Sequence, residues 1–434
     1  MKKVFLSKRV VFPMVGIASL LLTSPLWGEE KQVMLPDAIS AAMKNYGELK
    51  ILREERSISE AAAAKAGLYA NPVLELGGTT GALNGSSSEH SLSVGISQEF
   101  LTGSKRKKRL QVAEKELAGF DNRLKDAERL LRLEVKTVYY DLLLANGRLG
   151  LARNAEELNG QLLRISGERL AAGEVAELDL NLAKVEASRA EGRKLEAELV
   201  IAPLQQRLLV LMGSSSGERP AVSDPLYAGV VNGDLAELKN QALNNRSDLK
   251  ALKTETEKAE AELLLAGADR LPNVTLGLAY SWEHSLTSLG GMEEKNSDNL
   301  IGLRLSVPLQ LFDNNQAGQQ QASARKSSAM NRHLFARQSV ERDVEAAYAR
   351  FNSAQKTVVL YRTGILPQLE ENLKLVQEAY KLGEVGIMAV IEEQKKFIEV
   401  NDNYLTALSS WNSAAAKLEA AVGIEFKNED GGNK

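Results

Sequence analysis

The chain has 434 residues, with 54 Lys and Arg against 57 Asp and Glu and no cysteine. A net charge of -3 gives no footing for a polyanionic partner such as nucleic acid, and without cysteine neither a disulfide nor a lipid on a processed N-terminal cysteine is available. On length alone, two or three domains are expected.

Lys2, Lys3, Lys8 and Arg9 precede an apolar run from Val10 to Leu22, followed by Thr23-Ser24-Pro25-Leu26-Trp27-Gly28. That order predicts a secretory signal peptide over 1–28, cut near Gly28. Beyond it no apolar run reaches the ~18–20 residues of a spanning helix, so entry into a membrane would require a closed β-barrel.

A helix is expected over Pro36–Gly67, with Asp37 as cap or first-turn acid. Two short strands follow. Val73–Gly81 is the weaker, diluted by Gly77-Gly78 and Thr79-Thr80, whereas Leu92, Val94 and Ile96 alternate cleanly with serines and Gly95. Next comes a proline-free stretch, Ser104 to Gly173, in which Leu117, Phe120, Leu124, Ala127, Leu131, Val135, Val138, Leu142, Ala145, Leu149 and Ala152 recur every three or four residues. This is one face of a helix roughly 100 Å long. A turn at Gly173-Glu174-Val175 and a returning helix, Glu177–Met212, complete the unit.

The second half repeats the first. Leu68-Tyr69-Ala70-Asn71-Pro72-Val73-Leu74-Glu75-Leu76-Gly77 aligns with Ala268-Asp269-Arg270-Leu271-Pro272-Asn273-Val274-Thr275-Leu276-Gly277. Arg169–Val175 aligns with Ala379–Val385, and Met212-Gly213 with Val422-Gly423, at an offset of about 200 to 210 residues. The mature chain therefore reads as two copies of one unit, 34–213 and 234–426, joined by a Gly/Ser/Pro-rich linker, 214–233, and ending in a polar tail, 427–434. The second copy places a helix at Leu235–Ala268 with Asp234 as cap or first-turn acid, strands at Val274–Trp282 and Ile301–Leu311, a turn at Gly383-Glu384-Val385 and a returning helix at Ile387–Val422. Pro203 and Pro367 fall inside helices, where kinks or breaks are expected.

Each strand is expected to be about ten residues, the length that crosses a bilayer when tilted. Tyr280 and Trp282, at the end of the third strand, suit an interfacial aromatic girdle. Four strands cannot close a barrel, since single-chain barrels start at eight, so a membrane reading requires an oligomer: two chains pool eight strands, three pool twelve.

Lys105-Arg106-Lys107-Lys108-Arg109 opposes the dipole of the helix it opens and is expected to meet something negative, either lipid phosphates beneath the barrel or acidic neighbours. His90, His284 and His333 lack metal-ligand spacing, and the first two are expected in polar loops between strands. With no phosphate-cradling loop, nucleophile elbow or paired catalytic carboxylates, neither enzymatic activity nor a cofactor is expected.

The duplicated order of helix, two strands and long helical hairpin resembles the TolC-like outer-membrane efflux proteins. Ile96-Ser97-Gln98-Glu99-Phe100-Leu101-Thr102-Gly103-Ser104-Lys105-Arg106 and Val307-Pro308-Leu309-Gln310-Leu311-Phe312-Asp313-Asn314-Asn315-Gln316 look most like the cobalt-zinc-cadmium resistance branch. The resemblance covers nearly the whole mature chain. It implies a mainly α fold with a small membrane β part: a homotrimeric twelve-stranded outer-membrane barrel on a long periplasmic α-helical barrel. It also implies tips (Gly173, Glu174, Val175; Gly383, Glu384, Val385) that dock a periplasmic adaptor, itself bound to an inner-membrane proton-driven RND pump. Tyr380 matches the family's gate tyrosine, Glu392 one inward carboxylate and Asp179 the acidic position of the first tip. Ala389 and Gly386 depart from the pattern, so the closed-state network is altered. The function so implied is a passive exit duct for heavy-metal cations. A duct for drugs or other organic substrates, and a soluble periplasmic coiled-coil scaffold, are the alternatives.

Overall fold

The structure is a computed structural model that describes residues 30–84, 86–214, 219–224, 233–289 and 292–426. The signal peptide, most of the predicted linker and the polar tail lie outside the described residues.

The long helix is present as α3 (Lys105–Ala171), whose 67 residues reach about 100 Å at 1.5 Å each. Leu131, Val135, Val138, Leu142, Ala145 and Ala152 of the periodic stripe are buried. α4 (Glu177–Met212) returns alongside and continues as helix through Pro203. In the second half, α7 (Gln316–Leu360) gives way to a π-helical turn, Tyr361–Ile365, before α8 (Leu366–Lys381) and the returning α9 (Ile387–Val422). Pro367 explains the turn: it cannot donate, and its ring would strike the carbonyl four residues back in a regular helix.

The predicted first helix of each half is two helices. α1 (Leu35–Asn45) breaks from α2 (Gly47–Ala66) at Tyr46, whose ψ of 127° is extended, and α5 (Leu235–Asn245) breaks from α6 (Ser247–Ala268) at Arg246 with ψ 124°. Asp234 caps α5, accepting from the Glu237 amide at 2.8 Å, and Asp37 lies in the first turn of α1. The break has a tertiary cause. The end of α4 arrives against Asn45 and the end of α9 against Arg246, so closely that a Cβ at Gly213 would lie 2.6 Å from the Asn45 carbonyl carbon and one at Gly423 3.2 Å from the Arg246 Cα. Both glycines are also left-handed (φ 63° and 77°), which glycine alone adopts freely.

β2 (Val73–Gly81), β3 (Ser86–Phe100), β5 (Val274–Leu289) and β6 (Met292–Ser306) form one antiparallel sheet in the order β2-β3-β5-β6. Three of the four are 15 or 16 residues rather than about ten. Tyr280 and Trp282 consequently sit mid-strand, and His90 and His284 are strand residues facing each other across β3 and β5 instead of loop residues. The fourth strand starts at Met292 and stops at Ser306, ahead of Pro308, which has no N–H for a ladder.

The predicted linker is not merely a tether. β1 (Glu30–Gln32) pairs in parallel with β4 (Arg219–Ala221), Val222 is buried beside α1 and α3, and Asp224 accepts from the Leu35 amide at 3.0 Å and the Tyr139 hydroxyl at 2.7 Å. Three apolar cores hold the helices. One surrounds Tyr139, Leu142, Leu49 and Leu208, a second Val340, Val344, Phe351 and Leu418, and a third the turn end, with Leu162, Tyr380 and Ile391. Among the described residues, no strand of the four-stranded sheet contributes to any of them.

Candidate functional site

Both helical turns are built the same way. Gly173 (φ 77°) and Gly383 (φ 79°) are left-handed, and each turn closes with a pair of backbone bonds: Glu174 N to Arg169 O at 2.9 Å with Gly173 N to Leu170 O at 3.0 Å, and Glu384 N to Ala379 O at 2.9 Å with Gly383 N to Tyr380 O at 3.1 Å. This is the Schellman arrangement, which satisfies the last carbonyls of the arriving helix. Val385 packs onto the core at that end, while Val175 is half-buried and Glu384 exposed.

Tyr380 is 2% exposed. Its hydroxyl lies 3.0 Å from Ser166 Oγ, and Arg169 both donates to its carbonyl oxygen at 2.9 Å and lies over its ring, 4.9 Å from the centroid. Arg169 also bonds Glu174 at 3.1 Å, so one guanidinium ties the first turn to the second. Glu186 of α4 bonds Lys395 of α9 at 2.9 Å and Arg189 at 2.7 Å. Burial disfavours its charge, but the two cations prevail and hold it below the usual carboxylate range. Asp179 is half-buried in the first turn of α4 and Glu392 exposed on α9, and neither is bonded to Tyr380. Sequence reasoning missed Ser166, Arg169, Glu186 and Lys395. The internal alignment did not mark them: Arg169 stands opposite Ala379, but Leu170, Ala171 and Ala172 differ from Tyr380, Lys381 and Leu382 as well.

The ladder register sorts the sheet into two faces. One carries the rows Leu74–Ile96–Leu278–Leu303 and Leu76–Val94–Tyr280–Ile301, then Gly78–Leu92–Trp282–Asn299 and Thr80–His90–His284–Ser297. These apolar side chains stand in the open: Leu76 is 72% exposed and Ile301 80%. Tyr280 bonds Asn299 at 2.6 Å, Trp282 bonds Ser297 at 2.8 Å, and the His90 ring lies 5.2 Å from Trp282 and 5.1 Å from His284. The other face holds Glu75–Gly95–Ala279–Gly302, Gly77–Ser93–Ser281–Leu300 and Thr79–Ser91–Glu283–Asp298. An apolar face passing into an aromatic zone, backed by a small and polar face, is the division of a membrane barrel wall between lipid and lumen.

The basic cluster at the foot of the sheet is partly absorbed. Lys105, 4% exposed, donates to Leu271 O at 2.5 Å and Asn273 Oδ1 at 2.8 Å, with Asp269 3.9 Å away. Arg106 donates to Gly67 O at 2.9 Å and lies over Tyr69. Lys107 and Arg109 remain exposed. Among the described residues no three His, Asp, Glu or Cys side chains converge, and no helix is long and apolar enough to cross a membrane.

Comparison with known proteins agrees with this geometry. The family described as outer membrane efflux protein matches residues 50–214 and 238–424. The cobalt-zinc-cadmium resistance protein CzcC of Cupriavidus metallidurans is 22% identical over 322 residues, 74% of each chain. Nodulation protein T of Rhizobium leguminosarum bv. trifolii is 21% identical over 68% of this chain and 63% of its own. CusC, whose crystal structures concern folding and transmembrane channel formation, superposes with a TM-score of 0.75 at 18% identity, over 96% of this chain and 99% of that one. The outer-membrane channel OprN superposes with a TM-score of 0.72 at 14% identity, over 90% and 89%. The fold is thus the TolC-like one, and its relatives are channels rather than enzymes. By its matched length and its architecture, this chain belongs to the outer membrane efflux protein family.

Proposed function

We propose that the chain is one third of a passive outer-membrane exit duct for heavy-metal cations, driven by an inner-membrane pump. The observation that carries this is the two-faced sheet with unpartnered outer edges on β2 and β6, set on a helical shaft about 100 Å long. A sheet with lipid-type residues on one face, polar residues on the other and no core of its own gains burial only by closing into a ring with copies of itself. Three copies pool twelve strands, enough for a barrel.

The two units, 34–213 and 234–426, then place both helical turns at the periplasmic end. There Gly173-Glu174-Val175 and Gly383-Glu384-Val385 meet a periplasmic adaptor, and Asp179 and Glu392 line the gate, with Tyr380, buried against Ser166 and Arg169, as its support rather than its lining. Threefold repetition of Glu392 would ring the passage with negative charge, favouring cations. Tyr280 and Trp282 sit at the lipid interface. The metal cargo is supported by the likeness to CzcC.

The test is a deletion strain challenged with zinc, cadmium, cobalt and a panel of organic toxicants, together with detergent extraction of the outer membrane of the wild-type strain. Metal sensitivity and heat-modifiable trimers are expected. Sensitivity to organic compounds alone would move the cargo to drugs, and a monomer soluble without detergent would replace the duct with a periplasmic scaffold.

A further inference from the structure

The register that separates the faces of the sheet also gives each face a charge. Among the described side chains, the polar face carries five carboxylates, Glu75, Glu89, Glu99, Glu283 and Asp298, against a single cation, Arg304. Their arrangement is uneven along the strands. Toward the helices, Arg304 of β6 lies 3.6 Å from Glu75 of β2, although β3 and β5 run between them. The reach is possible because Gly95, Gly277, Ala279 and Gly302 put almost nothing in the way, so two long side chains lie flat across the floor they make. Ser97 steadies Glu75 with a bond of 2.7 Å, and Glu99 is engaged by the Asn273 amide at 2.7 Å.

Four residues farther along the strands, roughly 13 Å away, Glu283 and Asp298 face each other directly across β5 and β6. Among the described residues, Asp298 receives only the Asn296 amide, at 3.1 Å, and both side chains are exposed. Like charges directly opposite in a ladder work against the sheet. The position is therefore poor for stability and well placed to attract counter-ions.

We infer that the β-barrel is itself a charge filter: Glu283 and Asp298 draw cations toward the outer exit, and Arg304, restrained by Glu75, is the specificity-determining counterweight that limits that preference. The inference rests on the threefold duct reading, which brings three copies of each level around one lumen. It places a determinant of ion preference far from the helical turns. Removing Arg304 leaves Glu75 uncompensated and makes the lumen more negative, whereas neutralising Glu283 and Asp298 makes it less so. The two changes have opposite signs.

The experiment is the zero-current potential of detergent-purified trimers in planar bilayers under a KCl gradient. Arg304→Gln should raise the potassium-to-chloride permeability ratio about twofold, and Glu283→Gln with Asp298→Asn should lower it by a similar factor, a modest change because salt screens exposed charges. Arg304→Lys should restore the wild-type ratio. Lys295→Gln, on the opposite face of the sheet, should leave it unchanged. Heat-modifiable trimers on gels verify assembly of every variant. Intact trimers whose ratio does not move, or moves the same way in both variants, overturn the filter. A wild-type chain that stays monomeric and soluble without detergent overturns the duct reading and the filter with it.

Discussion

The joint between α1 and α2 and the joint between α5 and α6 share one backbone solution and are held by different chemistry. In each, an extended residue breaks a helix and a left-handed glycine ends the returning helix that abuts it. At the first joint the extended residue is Tyr46, packed against the core around Leu49 and Leu208. At the second it is Arg246, buried, with bonds of 3.0 and 2.6 Å to Asp248, 3.0 Å to Asp343 and 3.4 Å to the Ala421 carbonyl. Arg129 adds a bond of 2.5 Å to the Ala420 carbonyl, so two guanidiniums answer the negative end of α9. Apolar burial is indifferent to acid. An ion cluster built on a buried guanidinium depends on every member keeping its charge, and so the two joints should fail under different conditions.

The largest effect should come from Arg246→Ala, which takes the nearest cation from both Asp248 and Asp343. A loss of about 3–5 kcal/mol is expected, read as a fall in the thermal midpoint of the detergent-solubilised protein. A larger fall for Tyr46→Ala than for Arg246→Ala would break the contrast. Gly213→Ala comes next, at about 2–4 kcal/mol, because the new methyl group meets backbone in a conformation that resists it. Gly423→Ala, with 3.2 Å of clearance rather than 2.6 Å, should cost less, about 1–2 kcal/mol.

The pH responses sharpen the comparison further. Burial disfavours the Asp248 charge, but Arg246 overcomes it and holds the carboxyl below the usual 3.8 of an aspartate. Its contribution is therefore complete above that value and lost as pH falls through the lowered one. Acid melts below about pH 4 should narrow the gap between wild type and Asp248→Asn. Tyr46 is shifted the other way, upward from 10.0, by burial and then by Glu48. Its contribution is present below pH 10 and fades as pH rises beyond it, so alkaline melts should bring Tyr46→Phe level with or above wild type. This is the smallest expected effect.

What the sequence made legible were positions where the residue type itself is the constraint. Gly173, Gly383, Gly213 and Gly423 all stood out in the internal alignment, and all four are left-handed. The stripe from Leu131 to Ala152 was readable because one buried face of a long helix needs nothing but spacing. The breaks at Tyr46 and Arg246 escaped because Asn45-Tyr46-Gly47 and Asn245-Arg246-Ser247 contain no proline, and the break is imposed by helices that arrive from more than 150 residues away. The strands were underestimated because Met292–Asn299 reads as a polar loop, yet its backbone is carried on by the ladder with β5. At the helical turns, Tyr380 was singled out, but Ser166 and Arg169, which hold it in its buried place, lie more than 200 positions away and announce nothing locally.

The unpartnered margins of β2 and β6 carry a genetic consequence. In the proposed ring every copy forms two seams, one through each margin, so a single copy with a damaged margin spoils both of its joins. A cell expressing equal amounts of sound and damaged chains would complete only roughly one ring in eight from sound copies alone. Lesions confined to those outer strands should therefore be dominant, while lesions in the helical cores, which merely remove a chain from circulation, should be recessive.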